Sequence, residues 1–255
     1  MKQLFITLIA ISTCFALQAQ DYKLAKSSGK LLINLPGATI EGHSGNEIII
    51  TGANGNREED ERAKGLRAIN GSGLEDNTGF GVNVSDKGNT VEITQVGKRE
   101  LNSLIIKVPK GMVVAYNFDK AINAGKVRFR NIDNELEVSV MYNSVDLENV
   151  SGPMTVKSVY GGIDAELGAN LKSPISIVSV YGHVDVAMPV TTKANMNLSS
   201  PMGEIFASPD FKIEVEKSGN SDLVKLNDQI KGKLNGGGGE ISLKSNWGKI
   251  YLRKR

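Results

Sequence analysis

The chain reads as an all-β protein, a parallel β-helix or β-solenoid, with irregular strands towards its N-terminal side. Three observations carry that reading. A six-residue unit recurs: Tyr142-Asn143-Ser144-Val145-Asp146-Leu147, Tyr160-Gly161-Gly162-Ile163-Asp164-Ala165, Tyr181-Gly182-His183-Val184-Asp185-Val186. The tyrosines stand 18 and then 21 residues apart. Met202-Gly203-Glu204-Ile205 follows after another 21, and Trp247-Gly248-Lys249-Ile250 after 45, which is room for two units. The third observation is that residues around each unit fall into apolar columns spaced by two, the period of a strand with one buried face.

Those columns are long. Leu136, Met154, Ile175, Met196 and Ile241 form one, and Val138, Val156, Ile177, Leu198 and Leu243 the next. Past the turn come Val145, Ile163, Val184, Ile205 and Ile250. A period near 20 residues marks a solenoid, in which each unit is one coil. A single coil cannot bury its own apolar face, but stacked coils turn each column into a ladder inside the tube. Each inward Leu, Ile or Val brings about 1.5–3 kcal/mol of gross burial, most of it offset by chain entropy. A coil of this length holds two or three short strands at about 3.3 Å per residue. Right-handedness is the expectation for parallel crossovers. The turn column Asn143, Gly161, Gly182, Gly203, Gly248 suggests a tight corner using positive φ.

In chain order, Lys30–Leu35, Thr39–Glu41 and Glu47–Thr51 alternate like strands. A long polar interruption, residues 52–79, follows; it is either a solvated excursion or a partner-binding loop. Gly81–Ser85, Thr90–Val96, Ser103–Val108 and Val113–Phe118 resume the strands, with a turn at Pro109-Lys110-Gly111. These N-terminal coils, 30–110, lack the crisp period and suit a two-sheet cap that protects an open coil edge. Regular coils span 111–252, with an insertion at 208–239. Within it Phe211–Val215 alternates, a candidate strand of the coil missing from the 45-residue gap.

The 255 residues carry a net charge of +2, which gives no case for a nucleic-acid binder. Met1-Lys2-Gln3, the apolar run Leu4–Leu17 and Gln18-Ala19-Gln20 read as a secretory signal peptide over 1–20. The run is short for a bilayer span, so a single domain, 21–255, is expected after cleavage, without a transmembrane segment. The only cysteine, Cys14, lies inside the leader, in a context loosely similar to a bacterial lipobox. The mature chain then has no disulfide, and the ladders must supply the stability.

The pattern of a hydrophobic pair, Ser, two residues, Gly, then Ile or Val recurs in Ile177–Val184, Leu198–Ile205 and Leu243–Ile250. With Leu104-Ile105-Ile106-Lys107-Val108-Pro109-Lys110-Gly111 and Leu234-Asn235-Gly236-Gly237-Gly238, it resembles the Bacteroidota members of the DUF4097 family, described as candidate adhesins. The resemblance covers about Lys30 to the C-terminus. It implies an exported β-helix-like protein of unsettled function and brings no catalytic residues. The adhesin label is an inference from architecture, and architecture does not fix function.

Asp146, Asp164 and Asp185 form an outward column, about 4.8 Å between successive strands. The column is a solvated face, a calcium bridge or, least favoured, an acid/base pair. His43 and His183, the only histidines, lack zinc partners. Ser158, Ser179, Ser200 and Ser245 read as a structural ladder, since no Gly-x-Ser-x-Gly motif is present. The column Tyr142, Tyr160, Tyr181, Trp247 is either a stacked core or corner ladder, or an outward stripe able to stack on sugars. Gly236–Gly239 precedes a strand rather than a helix, which argues against a phosphate cradle. The basic end Arg253-Lys254-Arg255 either blocks edge pairing or adheres to an anionic surface. No catalytic, cofactor-binding or metal-binding residue is assigned, and no cofactor is expected.

The expected function is that of an exported, non-enzymatic adhesin-like scaffold at the periplasm or cell surface. Its partner would be a protein or a glycan of the cell envelope. The alternatives are a polysaccharide-active enzyme on a parallel β-helix, and an envelope signalling accessory.

Overall fold

A computed structural model describes residues 21–52, 61–63, 65–97, 104–216 and 229–255. The leader over 1–20, most of the charged run Arg57–Arg62 and the loop Ser218–Ser221 lie outside these residues. In chain order the strands are β1 (Tyr22–Leu24), β2 (Gly29–Asn34), β3 (Ala38–His43), β4 (Ile48–Gly52), β5 (Val82–Asp86), β6 (Thr90–Gln95) and β7 (Leu104–Pro109). Then come β8 (Met112–Phe118), β9 (Val127–Arg130), β10 (Leu136–Val140), β11 (Val145–Val150), β12 (Met154–Ser158), β13 (Ile163–Leu167) and β14 (Ile175–Ser179). The last are β15 (Val184–Met188), β16 (Ala194–Ser199), β17 (Ile205–Ala207), β18 (Ile213–Val215), β19 (Gln229–Leu234), β20 (Gly239–Ser245) and β21 (Ile250–Lys254).

They form two sheets rich in parallel pairs. One runs β5-β6-β2-β8-β10-β12-β14-β20-β16-β19-β18, and the other β1-β4-β7-β3-β9-β11-β13-β15-β21-β17. Each coil gives one strand to each sheet, so the architecture is solenoid-like. The columns read from the sequence are real ladders. Leu136 pairs with Met154, Met154 with Ile175, and Ile175 with Ile241, all in parallel register. Ile163 likewise pairs with Val184 in parallel. Side chains alternate in burial along most of the regular strands, as in Met154–Ser158 and Ile163–Leu167. The inward residues of both sheets join one apolar cluster.

The stacking order differs from the chain order at both ends. The first coil, β2/β3, sits between the coils β6/β7 and β8/β9. The last, β20/β21, sits between β14/β15 and β16/β17. The 45-residue spacing before Trp247 is therefore not filled by a further coil. Phe211–Val215 does not supply one either: β18 pairs antiparallel with β19, and β19 antiparallel with β16, as an outer flap. The N-terminal strands are more regular than their sequence suggests. β2, β3, β6 and β7 form in-register parallel pairs within the same two sheets, and only β1, β4 and β5 are antiparallel additions.

The edges are short or covered, as sheet proteins require. β1, β17 and β18 hold three residues each. The polar interruption guards β5. The Asn77 side chain donates to the Val84 carbonyl (2.8 Å) and accepts from the Val84 N–H (2.9 Å), mimicking a neighbouring strand. Asp76 holds that segment in shape by accepting from the N–H groups of Thr78, Gly79 and Gly81.

Candidate functional site

The corner after β12, β14 and β20 is built from one repeated device. Ser158 Oγ donates to the Asn143 carbonyl of the previous coil (3.0 Å) and accepts from the Gly161 N–H (3.0 Å). Ser179 does the same with the Gly161 carbonyl and the Gly182 N–H, and Ser245 with the Gly182 carbonyl and the Gly248 N–H. Ser200 donates to the Gly248 carbonyl (2.9 Å). The serines are buried, so these bonds satisfy backbone groups that water cannot reach. The serine column is structural, as its sequence context suggests.

The glycines beside it serve a purpose other than the expected one. Gly161, Gly182, Gly203 and Gly248 do not adopt positive φ. They are glycine because the coils approach too closely for a side chain. A Cβ on Gly161 would overlap the Asn143 carbonyl, one on Gly182 the Gly161 carbonyl, and one on Gly248 the Gly182 carbonyl. Asn143 begins the column, and its amide donates to the carbonyls of Pro36 (2.5 Å) and Gly125 (2.7 Å).

This corner pushes the aromatic column outward. Tyr142, Tyr160, Tyr181 and Trp247 are 42%, 51%, 52% and 56% exposed. Their rings stack in that order, with centroids 5.0, 5.0 and 6.3 Å apart and planes within 11°, 6° and 14°. The core placement is thus overturned: the inward positions are already taken by Val140, Ser158, Ser179 and Ser245. Each stacked pair adds about 0.5–1.5 kcal/mol beyond area burial. The rings cover one another's faces, so the stripe offers ring edges to solvent, with open faces only at its ends. A second pair, exposed Phe206 and half-buried Tyr251, stacks at 5.5 Å on the other sheet. Lys249 lies over the Phe206 ring and Arg253 over the Tyr251 ring. The signal for that pair was present: both residues continue the aspartate column.

That column is in register, Asp146 beside Asp164 and Asp164 beside Asp185. Each carboxylate has its own partner. Asp146 meets Lys126 at 2.9 Å and Arg128 at 3.6 Å, Asp164 meets His183 Nε2 at 2.9 Å, and Asp185 meets Arg253 Nε at 2.7 Å. The Asp185 carboxylate beside Arg253 raises the guanidinium pKa, first through the hydrogen bond and then through charge. Among the described residues no group of three His, Cys, Asp or Glu is placed to hold a metal ion. His183 faces Asp164 rather than its sequence neighbour Asp185. His43 is fixed by its own turn: the Gly45 N–H donates to Nδ1 (3.1 Å), and Nε2 lies 2.8 Å from the Glu47 carbonyl.

β21 is paired on both sides through Leu252, and Arg253 and Lys254 continue alongside β15 alone. Its charges are engaged: Arg253 with Asp185, Lys254 with Asp210 (3.1 Å), Arg255 with Glu166 (2.7 Å). The glycine run forms the turn from β19 to β20. Asn235, Gly236 and Gly237 all have positive φ, and the Asn235 amide ties the turn to the Val190 and Thr192 carbonyls.

No family model matches the chain, so the resemblance to the DUF4097 family rests on its motifs alone. No curated protein matches by sequence. Two solved structures show a distant likeness. One is a candidate cell adhesion protein from Clostridium sporogenes, 14% identical, with a TM-score of 0.45 over 93% of this chain and 100% of that one. The other is a candidate adhesin from Bacteroides fragilis, 14% identical, with a TM-score of 0.41 over 92% and 96%. Neither likeness is close enough to carry a functional argument. No helix among the described residues is long and apolar enough to cross a membrane.

Proposed function

We propose that the chain is an exported, non-enzymatic, adhesin-like scaffold whose coils present a rigid contact stripe to a partner at the cell envelope. One observation carries the reading: the exposed stack of Tyr142, Tyr160, Tyr181 and Trp247. Aromatic rings that are amphipathic and already ordered bring contact area at little entropic cost, and they are enriched where proteins meet. Because the inner faces are covered, the stripe suits a protein surface that contacts ring edges and hydroxyls. The signal-like leader supports export. The pairing of Asp146 with Lys126 and Arg128, and of Asp185 with Arg253, supports a non-catalytic role for those two carboxylates.

A photo-reactive amino acid placed at Tyr160, in cells, should give a discrete adduct, and one placed at Thr155 on the outer sheet face should not. Fractionation of the same cells should recover the protein outside the cytoplasm. No adduct at Tyr160, or equal adducts at both positions, would remove the stripe as a contact surface.

A further inference from the structure

The outer face of the eleven-stranded sheet carries a cleft of about 650 Å³. Four adjacent strands floor it, and each contributes one small neutral polar residue. Thr94 on β6 pairs with Asn34 on β2. Ile33 pairs with Tyr116, which sets Asn34 beside Asn117 on β8. Asn117 in turn pairs with Ser139 on β10. The row Thr94, Asn34, Asn117, Ser139 thus repeats at about 4.8 Å, the spacing of neighbouring strands. The walls hold Phe118, half-buried, with Asp119 and Lys120 at the rim and Asn70 from the long polar segment.

The cleft contrasts with the outer face of the other sheet. There, several outward charges are tied to each other across the coils. Here the side chains of Thr94, Asn117, Ser139, Asp119 and Lys120 have no hydrogen-bond or ionic partner among the described residues. Asn34 spends only its amide nitrogen, on Glu92 (3.0 Å). Asn70 is held as a wall, since its side-chain oxygen accepts from the Ser72 and Leu74 N–H groups.

Unspent hydroxyls and amides in a concave site call for a ligand with many donors and acceptors and no net charge. One lysine facing one aspartate gives no preference for anions. A peptide would seek a free strand edge, and β6, β2, β8 and β10 are each paired on both sides. A sugar needs only side chains, and Phe118, packed against the core cluster, adds an apolar border to the cleft. We infer that this cleft binds a neutral oligosaccharide, lying across the strands with Asn34, Asn117 and Ser139 bonding its hydroxyls and Phe118 at its border.

The test is calorimetric titration of the purified protein with defined neutral gluco-, manno-, galacto- and N-acetylglucosamine oligosaccharides. Uronate oligosaccharides and inorganic phosphate serve as anionic controls. At least one neutral series should bind, and Asn117→Ala with Ser139→Ala should weaken it at least tenfold. Trp247→Ala, at the far end of the aromatic stripe, should leave it unchanged, which separates this site from the contact stripe. Chemical-shift changes on adding the sugar to the unaltered protein should centre on Asn34, Asn117 and Phe118. The inference fails if no neutral sugar binds at millimolar concentration, if only the anionic probes bind, or if the double variant binds as well as the parent.

Discussion

Trp247 lies on Tyr181 with ring centroids 6.3 Å apart, although Met202 follows Tyr181 at the regular spacing of the repeat. The coil bearing Met202 is displaced one place outward, and the last coil of the chain takes the seat that spacing alone would give it. The serine device confirms the order, since Ser245 bonds the Gly182 carbonyl and Ser200 the Gly248 carbonyl.

Ile250 is the inward residue of that inserted strand, fully buried between Val184 and Ile205. Ile250→Ala should cost about 2–5 kcal/mol, as for a core position with ladder neighbours on both sides. Ile205, partly exposed on the outermost strand, should cost clearly less when truncated. Denaturant titration of the two variants checks the ranking; equal losses would contradict the inserted order.

Gly161→Ala should destabilise by about 3 kcal/mol or more, because the new methyl meets backbone rather than a movable side chain. Gly73 provides the contrast. It has φ +78 and open space around it, so Gly73→Ala should cost only the left-handed strain, about 1–2 kcal/mol. Thermal melts of both variants separate close approach from conformational need.

Ser179→Ala strands two backbone groups, the buried Gly161 carbonyl and the half-buried Gly182 N–H. The expected loss is about 1–3 kcal/mol. Hydrogen exchange at the Gly182 amide should quicken in the variant, while exchange in β3 should not.

Tyr116 is wholly buried against Phe129, and its hydroxyl donates to the Leu35 carbonyl at 2.7 Å. Burial pushes its phenol far above the ordinary value of 10.0. Below pH 10 folded and unfolded chains both hold the proton, and the contribution is fully present. Above it the unfolded chain releases the proton first, so stability falls as pH rises. Tyr116→Phe should lose about 1 kcal/mol at neutral pH but decline less steeply above pH 10. Urea midpoints from pH 7 to 11 report both effects.

The terminal cations Arg253, Lys254 and Arg255 are already matched to Asp185, Asp210 and Glu166. Binding to anionic lipid vesicles should therefore be weak, and Asp185→Asn should strengthen it by freeing Arg253. Co-sedimentation with the vesicles measures the change.

The ladders were legible because every coil repeats the same contact, so Ile163 and Val184 announce their pairing by equal spacing. Coil order was not legible for the same reason. Leu198 and Leu243 fit equally well beside Ile177, and identical columns cannot rank their members. The aspartate column was read outward correctly, because alternation fixes its face. Alternation fails at the corner, where the chain bends, and the tyrosines could not be placed. Glycine in the turn column signalled a constraint without saying whether it was φ or distance. The cleft left no trace in local sequence: Thr94, Asn34, Asn117 and Ser139 come from separate segments that only the register brings together.

The seating of β20/β21 also bears on how the molecule carries load. A tether drawn through its final residues would ordinarily peel the outermost rung, one bond at a time. Here the pull reaches β21, clasped by β15 on one flank and β17 on the other, so both rows of bonds must slide together before anything gives. Such an anchorage resists tugging far better than an end left at the rim.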